Sequence, residues 1–148
     1  MSTGYIAYEK LKGYKYRLKE DFFIYLPELL NYSIQTPYIH VKPNGHMMIT
    51  EEYAWDGASG PTIDTKTSMR GSLTHDALYQ LIRLGLLPKS FRMVADAILR
   101  RICLEDGMME VRANTWEYCV NNLACYATKP RKNKGKIYYA PKEPEIAK

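Results

Sequence analysis

The sequence predicts an α+β fold in which a β-hairpin-rich N-terminal half packs against a three-helix C-terminal half. Three observations predict it. Residues 14–50 carry short alternating or aromatic runs around a strong turn signal. Residues 53–62 hold two glycines, a proline, an aspartate and a serine, which reads as a loop with no regular structure. From residue 67 onward, apolar positions recur at helical spacing between glycine and proline stops.

Each element follows from local chemistry. Tyr14-Lys15-Tyr16-Arg17-Leu18 alternates, which puts Tyr14, Tyr16 and Leu18 on one face of a strand. Residues 21–26 form a second run, expected to end at Pro27. Residues 38–41 and 46–50 flank Lys42-Pro43-Asn44-Gly45, a turn-forming sequence that predicts a hairpin. His40 and His46 flank that turn and can face each other; with no third ligand nearby they read as surface residues. Thr67 or Ser68 caps a first helix that reaches about Leu84, with Leu73, Ala77, Leu81 and Leu84 on its apolar stripe and Gly85 just past its end. Ser90 caps a second helix over 91–104, stopped by Gly107. A third spans about 109–126, before Pro130. The link 85–89 is short, so the first two helices should run antiparallel.

The chain has 148 residues, fitting one domain over 1–128 and a basic tail over 129–148. Hydrophobic residues make up 46% and charged residues 25%, which excludes disordered, collagen-like and coiled-coil proteins. No run approaches the roughly 18 apolar residues of a spanning helix. Met1-Ser2-Thr3-Gly4-Tyr5 lacks a basic start and apolar run, so synthesis in a cytoplasm without a secretory signal is expected. The three cysteines have neither disulfide-framework nor metal-site spacing, and Cys119 and Cys125 are expected to pack in helix three. Thirteen tyrosines stand against three phenylalanines. The net charge of +5 lies in the tail, where seven basic residues face two acidic ones; the other 128 residues balance at 14 and 14. Such a tail is a solvated terminus, a weak attractor of nucleic acid or anionic lipid, or, through Lys136-Ile137-Tyr138-Tyr139, a strand for another chain.

The chemistry concentrates in Thr74-His75-Asp76-Ala77-Leu78-Tyr79. His75 and Tyr79 share a helix face, and Asp76 points about 100° away. Asp96, in Val94-Ala95-Asp96-Ala97-Ile98, has two readings. It makes a surface ion pair with Arg92 or Arg100 at i±4, or it crosses the antiparallel interface and accepts a His75 ring N–H. In the second case His75 keeps one nitrogen free as a general base. Asp76 then remains for a hard cation such as calcium, with main-chain oxygens of the Asp56, Gly57 and Gly60 loop as further ligands. The alternatives are a structural His-Asp pair, a core Tyr79 with a satisfied hydroxyl, and an Asp76 bonded to a loop. Ser59 is a turn residue, because Gly57-Ala58-Ser59-Gly60 is not a nucleophile elbow.

Two resemblances rest on these residues. Tyr53-Ala54-Trp55-Asp56-Gly57-Ala58-Ser59-Gly60-Pro61, then Thr74-His75-Asp76-Ala77-Leu78-Tyr79, then Ala95-Asp96-Ala97-Ile98 resemble, over about residues 46 to 105, the phage and prophage domain-of-unknown-function family 1353. That resemblance implies a phage or prophage origin, and so synthesis in a bacterial host cytoplasm; with the tyrosine richness and the detached basic tail it raises the expectation of a virion-associated protein. The His-Asp-x-x-Tyr helix after a glycine loop, with a later aspartate, is also similar to the phospholipase A-two pattern. It implies His75 as base, Asp76 as calcium ligand and Asp96 as the group orienting His75, although Leu78 stands where that family has a cysteine. Two functions follow as expectations. One is a calcium-assisted hydrolase of lipid-type esters acting on host membrane lipid. The other is a non-enzymatic virion, tail or host-interaction protein, bound to other phage structural proteins, in which the motif is structural. Nucleic-acid binding through the tail is the weakest reading, since the body is neutral.

Overall fold

A computed structural model describes residues 4–11, 16–57 and 65–123. Its N-terminal strands form two antiparallel sheets and its C-terminal part three helices, an α+β arrangement. The first sheet joins β1 (Tyr8–Lys10), β2 (Tyr16–Leu18) and β7 (Ala54–Trp55) in the order β1-β2-β7. Its face is an aromatic ladder. The Tyr16 ring lies 5.4 Å from Tyr8, edge-on, and 5.5 Å from Trp55. Tyr16 and Leu18 point inward as the alternation requires; Tyr14 lies outside the described residues.

The second sheet has the order β3-β6-β5-β4, from β3 (Phe22–Leu30), β4 (Ile34–Gln35), β5 (Ile39–Val41) and β6 (Asn44–Ile49). The 42–45 turn forms: Gly45 N–H donates to Lys42 C=O at 3.0 Å, and Gly45 takes a left-handed φ of 87°. His40 and His46 do not face each other across the hairpin. His40 pairs with Met48, and His46 pairs with Tyr25, its ring 5.2 Å away.

Two strand expectations need correction. β3 does not stop at Pro27 but runs through it to Leu30. It is an edge strand, so no neighbour needs the N–H that proline lacks. Its pairing also shifts there, from Tyr25↔His46 to Leu30↔Asn44, leaving Pro27 in a bulge. Residues 53–62 are not wholly irregular, because Ala54–Trp55 pairs with Arg17 and Tyr16 as β7. Gly57, with a left-handed φ of 78°, follows two residues after that strand.

The helices are α1 (Met69–Arg83), α2 (Phe91–Glu105) and α3 (Glu110–Leu123). Ser68 and Ser90 occupy the N-cap positions, yet neither side chain caps its helix; Ser68 Oγ instead exchanges hydrogen bonds with the Thr65 backbone at 2.9 Å. The C-termini close alike. Leu86 N–H reaches Leu81 C=O and Gly85 N–H reaches Ile82 C=O; Met108 and Gly107 repeat the pattern on Cys103 and Leu104. One apolar core joins both sheets to α1 and α2, and a second, around Trp116, joins α2 to α3. Cys103 is buried in that second cluster, Cys119 is half-buried, and Cys125 lies outside the described residues, as does the tail.

Candidate functional site

The site is built where α1 meets α2. Gly71 sets the approach: a Cβ there would stand 2.7 Å from Cys103 Sγ, 3.2 Å from Leu99 Cδ1 and 3.3 Å from the Leu99 carbonyl. With no side chain at 71 the helices pack closely one turn before His75. The antiparallel run then brings residue 75 opposite residue 96.

His75 Nε2 donates to Asp96 Oδ1 at 2.7 Å, and Tyr79 O–H donates to the same oxygen at 2.5 Å. The Tyr79 ring packs on the imidazole, with centroids 4.0 Å apart. An acceptor at Nε2 fixes the proton there, so the neutral ring has its lone pair on Nδ1. Nδ1 faces Asp76, whose Oδ1 is 3.9 Å away. His75 is 3% exposed and Asp96 0%. Asp96 is therefore not half of a surface ion pair, although Arg92 is its neighbour. Asp96 Oδ2 has no hydrogen-bond partner among the described residues and stands 3.8 Å from Arg92 Nη1. That guanidinium is anchored by the Asn121 carbonyl of α3 at 2.7 Å. Arg100 turns away, to Asn114.

Burial disfavours the charged imidazole, but the nearby Asp76 carboxylate and the hydrogen-bonded Asp96 outweigh it, so the His75 pKa is raised. Burial raises the Asp76 carboxyl, with the nearby Asp56 charge adding to it and His75 opposing. Tyr79 is raised by burial and then by its bond to Asp96, so it stays a neutral donor.

A second stripe of α1, made by Ser72, Asp76 and Gln80, faces the chain around β7. Trp55 Nε1–H donates to Ser72 Oγ at 3.2 Å and Tyr53 O–H to Gln80 Oε1 at 3.0 Å. These two bonds lay Tyr53 and Trp55 along α1 on either side of Asp76. The sequence assigned no role to Tyr53, Trp55, Ser72 or Gln80, and offered Arg92 only as a surface partner of Asp96. A signal was present, since 72, 76 and 80 are polar at i, i+4, i+8 beside the 71, 75, 79 stripe.

The expected sites are only partly covered. His75, Asp96 and Tyr79 come together, with Asp76 beside them. Asp56 is exposed and near enough to Asp76 to act on it through its charge. Gly57 is buried with a φ of 78°. Gly60, with Ala58, Ser59 and Pro61, lies outside the described residues. Among the described residues no group of three or more metal-ligating side chains converges. Two cavities, of about 500 and 310 Å³, lie elsewhere; one is lined by Tyr5, Tyr8 and Lys66, the other by Tyr25, Pro27 and Arg101.

No protein-family model, no curated protein and no solved structure matches the chain. The two resemblances therefore stand on the quoted residues alone.

Proposed function

We propose that this chain is a metal-assisted hydrolase of lipid-type esters, with His75 as its general base. One observation carries the reading: a histidine whose Nε2 is bound by a buried carboxylate and whose Nδ1 faces a second carboxylate that does not bond it. In the reaction, Nδ1 takes a proton from water. The hydroxide formed attacks the ester carbonyl, and Asp96 stabilises the imidazolium. The same Nδ1–H then protonates the departing alkoxide, so the histidine ends as it began. Tyr79 and Asp96 orient the ring; Tyr79 is a positioning residue.

The resemblance to phospholipase A-two implies calcium, and the donor chemistry here fits a hard cation. Asp76 and Asp56 offer oxygen only, the donor type that a hard cation takes. Asp76 is the residue to hold the ion, with Asp56 and main-chain oxygens of the adjoining loop. Bound there, calcium would polarise the ester carbonyl.

The burial of His75 and Asp96 favours a second reading, a non-enzymatic phage virion, tail or host-interaction protein. The network would then serve to lock α1 to α2. Calcium titration by calorimetry, followed by phospholipid ester hydrolysis with His75→Gln and Asp76→Asn controls of verified fold, separates the two. Calcium-dependent turnover lost in both variants supports the hydrolase. Folded protein with neither heat of binding nor turnover removes it, and a His75→Gln protein that fails to fold while wild type lacks turnover supports the architectural reading.

A further inference from the structure

We propose that Arg92 is a positioning residue of the His-Asp site: its guanidinium, held by α3, stands off Asp96 and leaves that carboxylate's hydrogen bonds to His75 and Tyr79. Two distances define its place. Arg92 Nη1 donates to the Asn121 carbonyl at 2.7 Å, and the same nitrogen stands 3.8 Å from Asp96 Oδ2. The first is a hydrogen bond; the second is too long for one but short for a charge. Asp96 is wholly buried, and its Oδ2 has no hydrogen-bond partner among the described residues. The Arg92 side chain is only 21% exposed, so solvent ions screen the pair little.

A buried carboxylate needs a counter-charge. An arginine four residues earlier on the same helix is placed to close on it with a fork of two hydrogen bonds. Bound that way, Asp96 would be shared with a full cation, and its bonds to His75 Nε2–H and Tyr79 O–H would weaken. α3 prevents this. Trp116 and Val120, one turn apart, join one buried cluster with Leu99 and Cys103 of α2, and that packing fixes where the Asn121 carbonyl lies. The guanidinium therefore supplies charge at a distance, while the hydrogen bonds stay with the ring and the phenol. Its charge reaches Tyr79 too, where burial and the Asp96 bond raise the phenol and Arg92 opposes them.

The other charged groups near the pair are engaged elsewhere. Asp76 faces the far nitrogen of His75, and Asp56 and Arg83 act on Asp76. Arg100, the other basic residue four positions from Asp96, bonds Asn114. The role of Arg92 takes its purpose from the hydrolase reading, but its contacts are measured without substrate, so each can fail alone.

The test is proton–nitrogen NMR of the full chain at one fixed pH. It follows the His75 Nε2–H resonance in wild type, Arg92→Gln, Arg92→Met and Arg92→Lys. With the cation gone, Asp96 gives its whole charge to its two remaining donors. The resonance should then move downfield in Arg92→Gln and Arg92→Met, the direction of a stronger charge-assisted bond. Arg92→Lys keeps the charge and should return most of the way to wild type. An unmoved or upfield resonance in the uncharged variants would overturn the proposal, as would a lysine variant displaced as far as they are. If neither uncharged variant folds, Arg92 is a packing residue and the proposal fails. A downfield shift in a protein without turnover would remove the hydrolase reading and leave the role of Arg92 standing.

Discussion

Adding one methyl group at Gly71 tests whether helix contact sets the site geometry. In Gly71→Ala the new Cβ meets Cys103 Sγ at 2.7 Å, a distance carbon and sulfur do not tolerate, with Leu99 atoms at 3.2 and 3.3 Å behind it. Cys103 is fully buried, so its sulfur has little room to swing. Overpacking of this kind costs about 1–3 kcal/mol. Alanine's better helix propensity returns about 1 kcal/mol, so the variant should lose up to about 2 kcal/mol overall. Cys103→Ala alone should cost on the order of 1 kcal/mol by leaving a small cavity. In the double variant the new methyl fills the space left by sulfur. The pair should therefore be more stable than the sum of the singles by about 1–3 kcal/mol. Urea denaturation of the four proteins gives that coupling energy. The His75 ring resonances should shift in Gly71→Ala and return in the double variant, because position 71 lies one turn from the 2.7 Å bond to Asp96. Additivity within about 0.5 kcal/mol, or an unmoved His75 spectrum, would refute the claim that close approach at Gly71 holds the site together.

Asp96→Ala leaves His75 and Tyr79 without their shared acceptor and should cost about 3–5 kcal/mol, whereas Tyr79→Phe removes one charge-assisted bond and should cost about 1.5–3 kcal/mol; denaturant midpoints will rank them. The raised His75 pKa means that the folded state binds this proton more tightly than the unfolded chain does. Its stabilisation is full below the unfolded value of 6.5 and is lost as pH rises through the folded value, so the urea midpoint should fall with pH there and flatten in His75→Gln. The raised Asp76 pKa means that ionised Asp76 is held at a cost, so Asp76→Asn should melt higher than wild type near about pH 8 and gain less near about pH 4; a lower melting temperature near pH 8 would show a structural ion pair instead.

The parts of the fold legible in the sequence were those fixed by local chemistry. Pro43-Asn44-Gly45 can hardly do anything but turn, and Gly85 and Gly107 close two helices through the same pair of backbone bonds. Less legible were features set by long-range pairing. Whether Pro27 ends a strand depends on whether a neighbour needs its missing N–H, and only the sheet order shows that none does. Ala54–Trp55 becomes a strand because Tyr16 and Arg17, nearly 40 residues earlier, accept it as a partner. The serine positions were legible but their bonds were not, since Ser68 spends its hydroxyl on Thr65.

The site divides along the same line. His75 and Asp96 could be paired from the sequence because a short link, residues 84–90, joins the helices antiparallel, and the 2.7 Å bond follows from it. The role of Arg92 was hidden because i,i+4 spacing on a helix reads as a surface pair until Asp96 is known to be wholly buried. The two polar stripes of α1 then bear on function. Ser72 and Thr74 have structural partners in the core, whereas buried ion pairs like that of His75 and Asp96 are often matched or exceeded in stability by apolar replacements. Here one stripe locks an imidazole by a single nitrogen, and the neighbouring stripe presents a carboxylate with a raised pKa to the other. That oriented base beside a second carboxylate is the arrangement on which the proposed hydrolase rests. The Asp76→Asn melt shows whether that carboxylate is held at a cost, and the calcium and turnover assays then decide between the two readings.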